Sequence, residues 1–297
     1  MQARAHAGAP ERDSAFDRVP PAALVIFGIT SVQAGAAFAT KLFDDLGPAG
    51  TVFLRVFFAA VVLCAIWRPS LRAHTSADLR LAALFGIVLA LMNLSFYEAL
   101  DRIHLGVAVT LEFIGPLGVA LVGSRSRLDV LWALLAACGV VLLGSVGSSD
   151  VAGVTFALVA GCLWAAYILI NARVGQRFSG GHGLAIAMAI GTLPLIPIGI
   201  ADAGSNLLDP RLLALALGVA LLSSVVPYSL ELEALRRIRP HVFGVLMSLE
   251  PGVAAIAGFV VIGQDLSTLD VVAIALVVLA SAGATRGARG SPPPVDA

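Results

Sequence analysis

Charge is scarce in this sequence. Of its 297 residues only 13% are Asp, Glu, Lys or Arg, roughly half the share usual in soluble domains. The formal net charge is zero, so no basic excess points to nucleic acid. Lysine occurs once, as Lys41, and follows Thr40 rather than glycine. A GxxxxGK[ST] phosphate-binding loop is therefore missing, which excludes an ATPase of that type. Cysteine is limited to Cys64, Cys138 and Cys162, all within apolar stretches and without a CxxC or His/Cys cluster. They read as small hydrophobes rather than metal ligands. No catalytic residue, cofactor or metal is expected.

What the chain has instead is apolar length. Hydrophobic residues make up 59% and the mean hydropathy is +0.94. Runs of about 18 or more apolar residues cross a hydrocarbon core of roughly 30 Å as helices. Ten such runs are predicted, near 22–42, 49–67, 79–99, 104–123, 128–146, 151–171, 183–200, 211–230, 240–262 and 267–285. The expected fold class is an all-α membrane protein with lipid as its main partner. No long polar insertion leaves room for a soluble domain, and the first run reads as an uncleaved span rather than a signal peptide. With the N-terminus inside, fifteen of the nineteen basic residues fall in inner segments. Lys41, Arg102 and Arg211 fall outside, and Arg55 lies within a span. Basic residues favour the cytoplasmic side, so both termini are expected there.

The spans divide into two similar sets. "EALDRI" at 98–103 returns as "EALRRI" at 233–238, and the same offset relates Val107 to Val242, Leu111 to Leu246, Pro116 to Pro251, Ala120 to Ala255 and Gly123 to Gly258. Ten of twenty-six positions match. An odd number of spans per copy inverts the second copy in the membrane, a layout of secondary transporters. The expected organisation is a cytoplasmic tail (1–20), a first five-helix repeat (21–147), a second, inverted one (151–285) and a cytoplasmic tail (286–297).

This layout resembles the EamA-type members of the drug/metabolite transporter superfamily. "TSVQAGAAFATKLF" (30–43), "LEFIGPLGVAL" (111–121), "VPYSLELEAL" (226–235) and "GVLMSLEPGVAAIAGFV" (244–260) are similar to the threonine/homoserine exporter branch. The resemblance covers roughly 20–285 and implies export of a small amino acid across a bacterial inner (plasma) membrane by a secondary carrier, with protons as the coupling partner. A homodimer is compatible with it. One departure is Gln264 in "VIGQD", where relatives usually carry glutamate, so a role for an acid there is in doubt. The alternatives are an EamA-type carrier of another metabolite, and a non-transporting membrane scaffold or sensor, which would need an extramembrane interaction domain that the short loops do not offer.

Polar residues inside the apolar runs are the site candidates, because an ionisable group near mid-membrane costs about 2.5 to 3.5 kcal/mol on insertion scales and so faces a partner, a bundle interior or water. Glu112 falls roughly 9 Å and Arg55 roughly 8 Å below the outer boundary at 1.5 Å per residue, with Asn93 at comparable depth. The three are expected to form one polar cluster. Pro116 lacks the N–H that the Glu112 carbonyl would accept, and Pro251 does the same to Met247 beside Glu250. Each freed carbonyl next to a carboxylate is a place for a cation, water or ammonium. Two roles are open to Glu112: a structural ion paired with Arg55 or protonated, or a group that alternates between substrate ammonium and a proton. In the transport reading Arg55 binds the substrate carboxylate and Glu250 is a second proton site. Gln33, Tyr97, Tyr228, Trp164 and Tyr167 are further lining candidates. Glu231 and Glu233 are expected at the inner interface, paired with Arg236 or Arg237.

Overall fold

In the computed structural model, residues 19–122, 128–146, 150–235 and 246–287, with Arg237 and Phe243, are described. The terminal tails and the loop arginines Arg125, Arg127, Arg236 and Arg239 lie outside these residues, as do Gly123, Ser148 and Val242. Among the described residues all regular structure is helical: α1 (Pro21–Thr40), α2 (Phe43–Trp67), α3 (Ser76–Leu100), α4 (Leu105–Glu112), α5 (Ile114–Val122), α6 (Leu128–Val146), α7 (Val151–Arg177), α8 (His182–Ala203), α9 (Pro210–Ala220), α10 (Val226–Leu235), α11 (Glu250–Ala257) and α12 (Thr268–Gly287). Six helices are long and apolar enough to cross a membrane: Pro21–Thr40, Phe43–Trp67, Ser76–Leu100, Val151–Arg177, His182–Leu208 and Pro210–Glu231. Four shorter apolar helices, Leu105–Val119, Val130–Gly139, Glu250–Ile262 and Thr268–Gly283, fall at the other four predicted runs. Large hydrophobics such as Phe27, Ile66, Leu134, Ile256 and Phe259 are exposed on the outer faces of these helices, as a lipid-facing surface requires. The chain is a multi-pass membrane protein.

Local sequence explains where the helices start and break. Thr75 and Asp78 form a reciprocal capping box that opens α3, and the Asp150 carboxylate accepts Gly153 N–H at 2.9 Å at the start of α7. Each satisfies N–H groups that a first turn leaves without partners. In α2 the helix is interrupted at Gly47 (φ 66°, ψ 166°), a conformation that glycine adopts without a Cβ clash. Pro48 restarts it, and the fresh N-terminus is capped from α8, where Asp202 Oδ2 accepts Ala49 N–H (2.9 Å) and Gly50 N–H (3.2 Å). That cap fixes the depth at which α2 carries Arg55.

The helices pack in reciprocal pairs. α2 lies along α8, α3 along α7 and α8, α1 along α10, and α6 along α12, while α4 meets α11. The core between them is built largely from Ala, Leu, Val and Phe, with Leu46, Phe85, Leu89, Leu111 and Leu195 fully buried. Among the described residues two spans contain a π-helical turn. The eighth span passes through a π-helical turn at Leu221–Val225 between α9 and α10, and the ninth through another at Gly258–Ile262. The first of these shapes the site.

Candidate functional site

The helices surround a cavity of about 580 Å³, within the range of small-molecule sites. Among its lining residues are Gln33 of α1, Arg55 of α2, Asn93 of α3, Glu112 at the end of α4, Tyr228 and Glu231 of α10, and Glu250 at the start of α11. Residues from six different helices, far apart in sequence, therefore meet around one space. Three carboxyl groups face one guanidinium there. Charge balances only when two of the acids carry a proton or meet a cation.

Arg55 is 5% exposed, and neutral groups hold it. Its Nε donates to Ser224 Oγ (3.1 Å), Nη1 to Tyr97 O–H (3.2 Å) and Nη2 to the Ser223 carbonyl (3.0 Å). That last acceptor has a sequence cause: Pro227, four residues on, has no N–H to offer it. The chain widens into the π-helical turn, and the freed carbonyl goes to Arg55; π-helical turns often mark such sites. Tyr97 is fully buried, set 5.7 Å from the Phe43 ring and 5.3 Å from the guanidinium carbon. It stands behind Arg55 and does not line the cavity, contrary to its placement among the lining candidates. Three of the five Arg55 N–H groups are used, so one remains on each terminal nitrogen.

The Arg55–Glu112 ion pair, one of the structural alternatives for Glu112, is not formed. Among the described residues no carboxylate comes within 4 Å of the guanidinium. The serine-rich π-helical turn and Tyr97 supply its acceptors instead. Glu112 is 8% exposed and faces the cavity. Its backbone carbonyl, which Pro116 frees, does not turn to the ligand space. It packs on Gly161 of α7, where a Cβ would lie 2.7 Å from it, and a Cβ on Gly115 would lie 1.9 Å from the Gly161 carbonyl. The break between α4 and α5 is thus a backbone-to-backbone crossing with α7, which requires glycine on both sides. Asn93 lines the cavity but folds its amide back, donating from Nδ2 to the Leu89 carbonyl at 2.8 Å.

Between α1 and α11, Gln33 Nε2 donates to Glu250 Oε1 at 3.0 Å. Gln33 Oε1, Glu250 Oε2 and Ser223 Oγ are buried without a hydrogen-bond partner among the described residues. Pro251 stands in the first turn of α11 directly after Glu250. The aromatic lining comes from Trp164, edge-on to Phe113 at 5.4 Å, and Tyr167, stacked on Phe85 at 5.1 Å. Glu231 is a cavity residue, not an interfacial one, while Glu233 pairs with Arg237. The signal for Glu231 was its spacing, three residues after Tyr228 and four after Pro227, which puts it on their helix face. Gln264 serves structure: its Oε1 accepts Leu105 N–H at 3.0 Å and caps α4.

A lipid-embedded bundle with short links and a central charged cavity defines a class, that of membrane carriers for small solutes. Residues 151–286 match the model of the EamA-like transporter family. Over 280 residues the chain is 38% identical to the threonine/homoserine exporter RhtA of Salmonella typhimurium, covering 92% of this chain and 93% of that protein. It is 38% identical over 277 residues to RhtA of Escherichia coli K12, covering 91% and 92%. An uncharacterized transporter of Archaeoglobus fulgidus is 25% identical over 250 residues, 78% of this chain and 86% of that one. The chain belongs to the EamA-like transporter family. A solved structure described only as the crystal structure of a protein shares the fold, with TM-score 0.60 and 20% identity over 90% of this chain and 98% of that one.

Proposed function

We propose that this protein exports small amino acids of the threonine and homoserine kind across the inner membrane in exchange for protons. The observation that carries the reading is the cavity itself, with one guanidinium, three carboxyl groups and tyrosines in a lipid-surrounded site. Arg55 binds the substrate carboxylate through its two remaining N–H groups, a geometry suited to a carboxylate. The acids offer counter-charge to the ammonium and places for protons. A positive charge entering among them opposes protons already there, so loading substrate and loading protons compete. Glu112, whose carboxyl makes no hydrogen bond within the described residues, is the coupling acid, and Glu250 is a second proton site.

Alternating access follows from two inverted repeats, 21–147 and 151–285, between cytoplasmic tails. Helix packing supports this. Exchanging the first span with the sixth, the second with the seventh and so on turns the α1/α10 contact into α7/α3, α3/α8 into the eighth span on α2, and the fourth span on α7 into α11 on α1. It leaves α2/α8, α4/α11 and α6/α12 unchanged. Two shapes related by that exchange open the same cavity to opposite sides.

An efflux assay with a panel of labelled amino acids, in cells lacking their own exporters, tests the substrate. Threonine and homoserine are expected to leave faster with the protein than without it; equal rates across the whole panel contradict the reading. With native cysteines replaced, a cysteine at Ser148 is expected to react with an impermeant thiol reagent in intact cells and one at Ser179 only after permeabilisation. The reverse pattern inverts the orientation.

A further inference from the structure

We infer that the substrate ammonium is seated between Gln33 and Glu250, with the carboxylate toward Arg55 and Ser223, so that the cavity selects a zwitterion by both ends. The inference rests on the amino-acid reading above. Gln33 and Glu250 are 2% and 6% exposed. Their mutual bond uses one of the two Gln33 N–H groups and one Glu250 oxygen, leaving Gln33 Oε1 and Glu250 Oε2 as buried acceptors with nothing to accept from among the described residues. With Glu250 ionised, the reverse amide orientation would set an amide oxygen against a carboxylate oxygen, so in that state the bond also fixes which Gln33 atom is left over. A buried acceptor without a partner costs about 1–3 kcal/mol, more when charged. Two such acceptors side by side, one of them anionic once its proton has left, complement a group with several N–H donors and a positive charge. An alkylammonium is that group.

The third unpartnered atom, Ser223 Oγ, belongs to the π-helical turn that holds Arg55 and is 1% exposed as a residue. A hydroxyl there can donate, and Arg55 beside it has two N–H groups left. Donors therefore gather at the α2/π-turn wall, and acceptors at the α1/α11 wall of one cavity. A free α-amino acid satisfies both walls. An amine without a carboxylate, or an acid without an ammonium, leaves one wall unsatisfied, which is how sites built on buried polar groups discriminate.

Competition binding to the purified full-length protein in detergent tests this, with labelled threonine displaced by threonine, N-acetylthreonine (no ammonium) or threoninol (no carboxylate). The unmutated protein is expected to prefer threonine over both analogues. In Glu250→Gln and Gln33→Leu the threonine affinity is expected to fall by about tenfold or more, while N-acetylthreonine falls far less, so the preference shrinks. Glu250→Gln keeps volume and carries the test if Gln33→Leu does not fold, and melting of the unliganded variants checks folding. An equal loss for threonine and N-acetylthreonine, or an undiminished preference, overturns the ammonium seat. Failure of the unmutated protein to bind any amino acid overturns the amino-acid reading and the seat with it.

Discussion

Pro227 and Pro116 each free a backbone carbonyl, and the two carbonyls meet opposite fates. Pro227 frees that of Ser223, which becomes an acceptor for Arg55 at 3.0 Å and anchors the cavity's guanidinium. Pro116 frees that of Glu112, which packs on Gly161 and contributes to a helix crossing. The proline acts identically in both places. What differs is the neighbour: a guanidinium crossing from α2 in one case, a glycine that lets α7 approach in the other. A missing N–H marks where a helix has a spare acceptor, and packing decides whether that acceptor belongs to the site or to the scaffold.

The largest effect that this contrast predicts is at the scaffold crossing. Gly161→Leu pushes a side chain into the Glu112 backbone, and overpacking of this kind costs about 1–3 kcal/mol. Thermal unfolding in detergent should show a clear drop in melting temperature; unchanged melting would mean that the crossing is not tight. Next comes Arg55→Lys, which keeps the charge but loses the fork and its hydrogen bonds. Threonine affinity should fall by about tenfold or more, and a titration matching the unmutated protein would remove Arg55 from the site. The smallest effect distinguishes the two prolines. Pro227→Ala returns an N–H that competes with Arg55 for the Ser223 carbonyl, so affinity should fall about threefold, under 1 kcal/mol. Pro116→Ala should lower affinity less, and equal losses from the two would erase the distinction.

Much of this architecture was legible in the chain. Apolar length located the spans, because in lipid every backbone group must be satisfied within a helix. Buried charge located Arg55, Glu112 and Glu250, which now line one cavity with Gln33, Asn93 and Tyr228. Partnership was not legible. Similar depth suggested an Arg55–Glu112 pair, but depth along a helix leaves its rotation free, and the π-helical turn at Leu221–Val225 shifts the helical phase of the eighth span. That shift brings Ser223 and Ser224 to Arg55, and Glu231 remains on the face of Tyr228. The first result does not follow from a 3.6-residue period; the second does, from the three-residue spacing of Glu231 and Tyr228. Tyr97 was misplaced for a related reason: a tyrosine hydroxyl in an apolar run needs a partner, and here that partner is Arg55, behind the cavity wall rather than within it.

Competition between the bound substrate ammonium and the proton carried by Glu112 is the central claim, and calorimetry of threonine binding in buffers of different ionisation enthalpy measures it directly. The heat reports protons released as the ligand binds. The unmutated protein is expected to release protons to the buffer on binding threonine, and Glu112→Gln, whose amide has none to give, to release fewer. Binding by the unmutated protein with no proton release, or release undiminished in Glu112→Gln, would contradict the account.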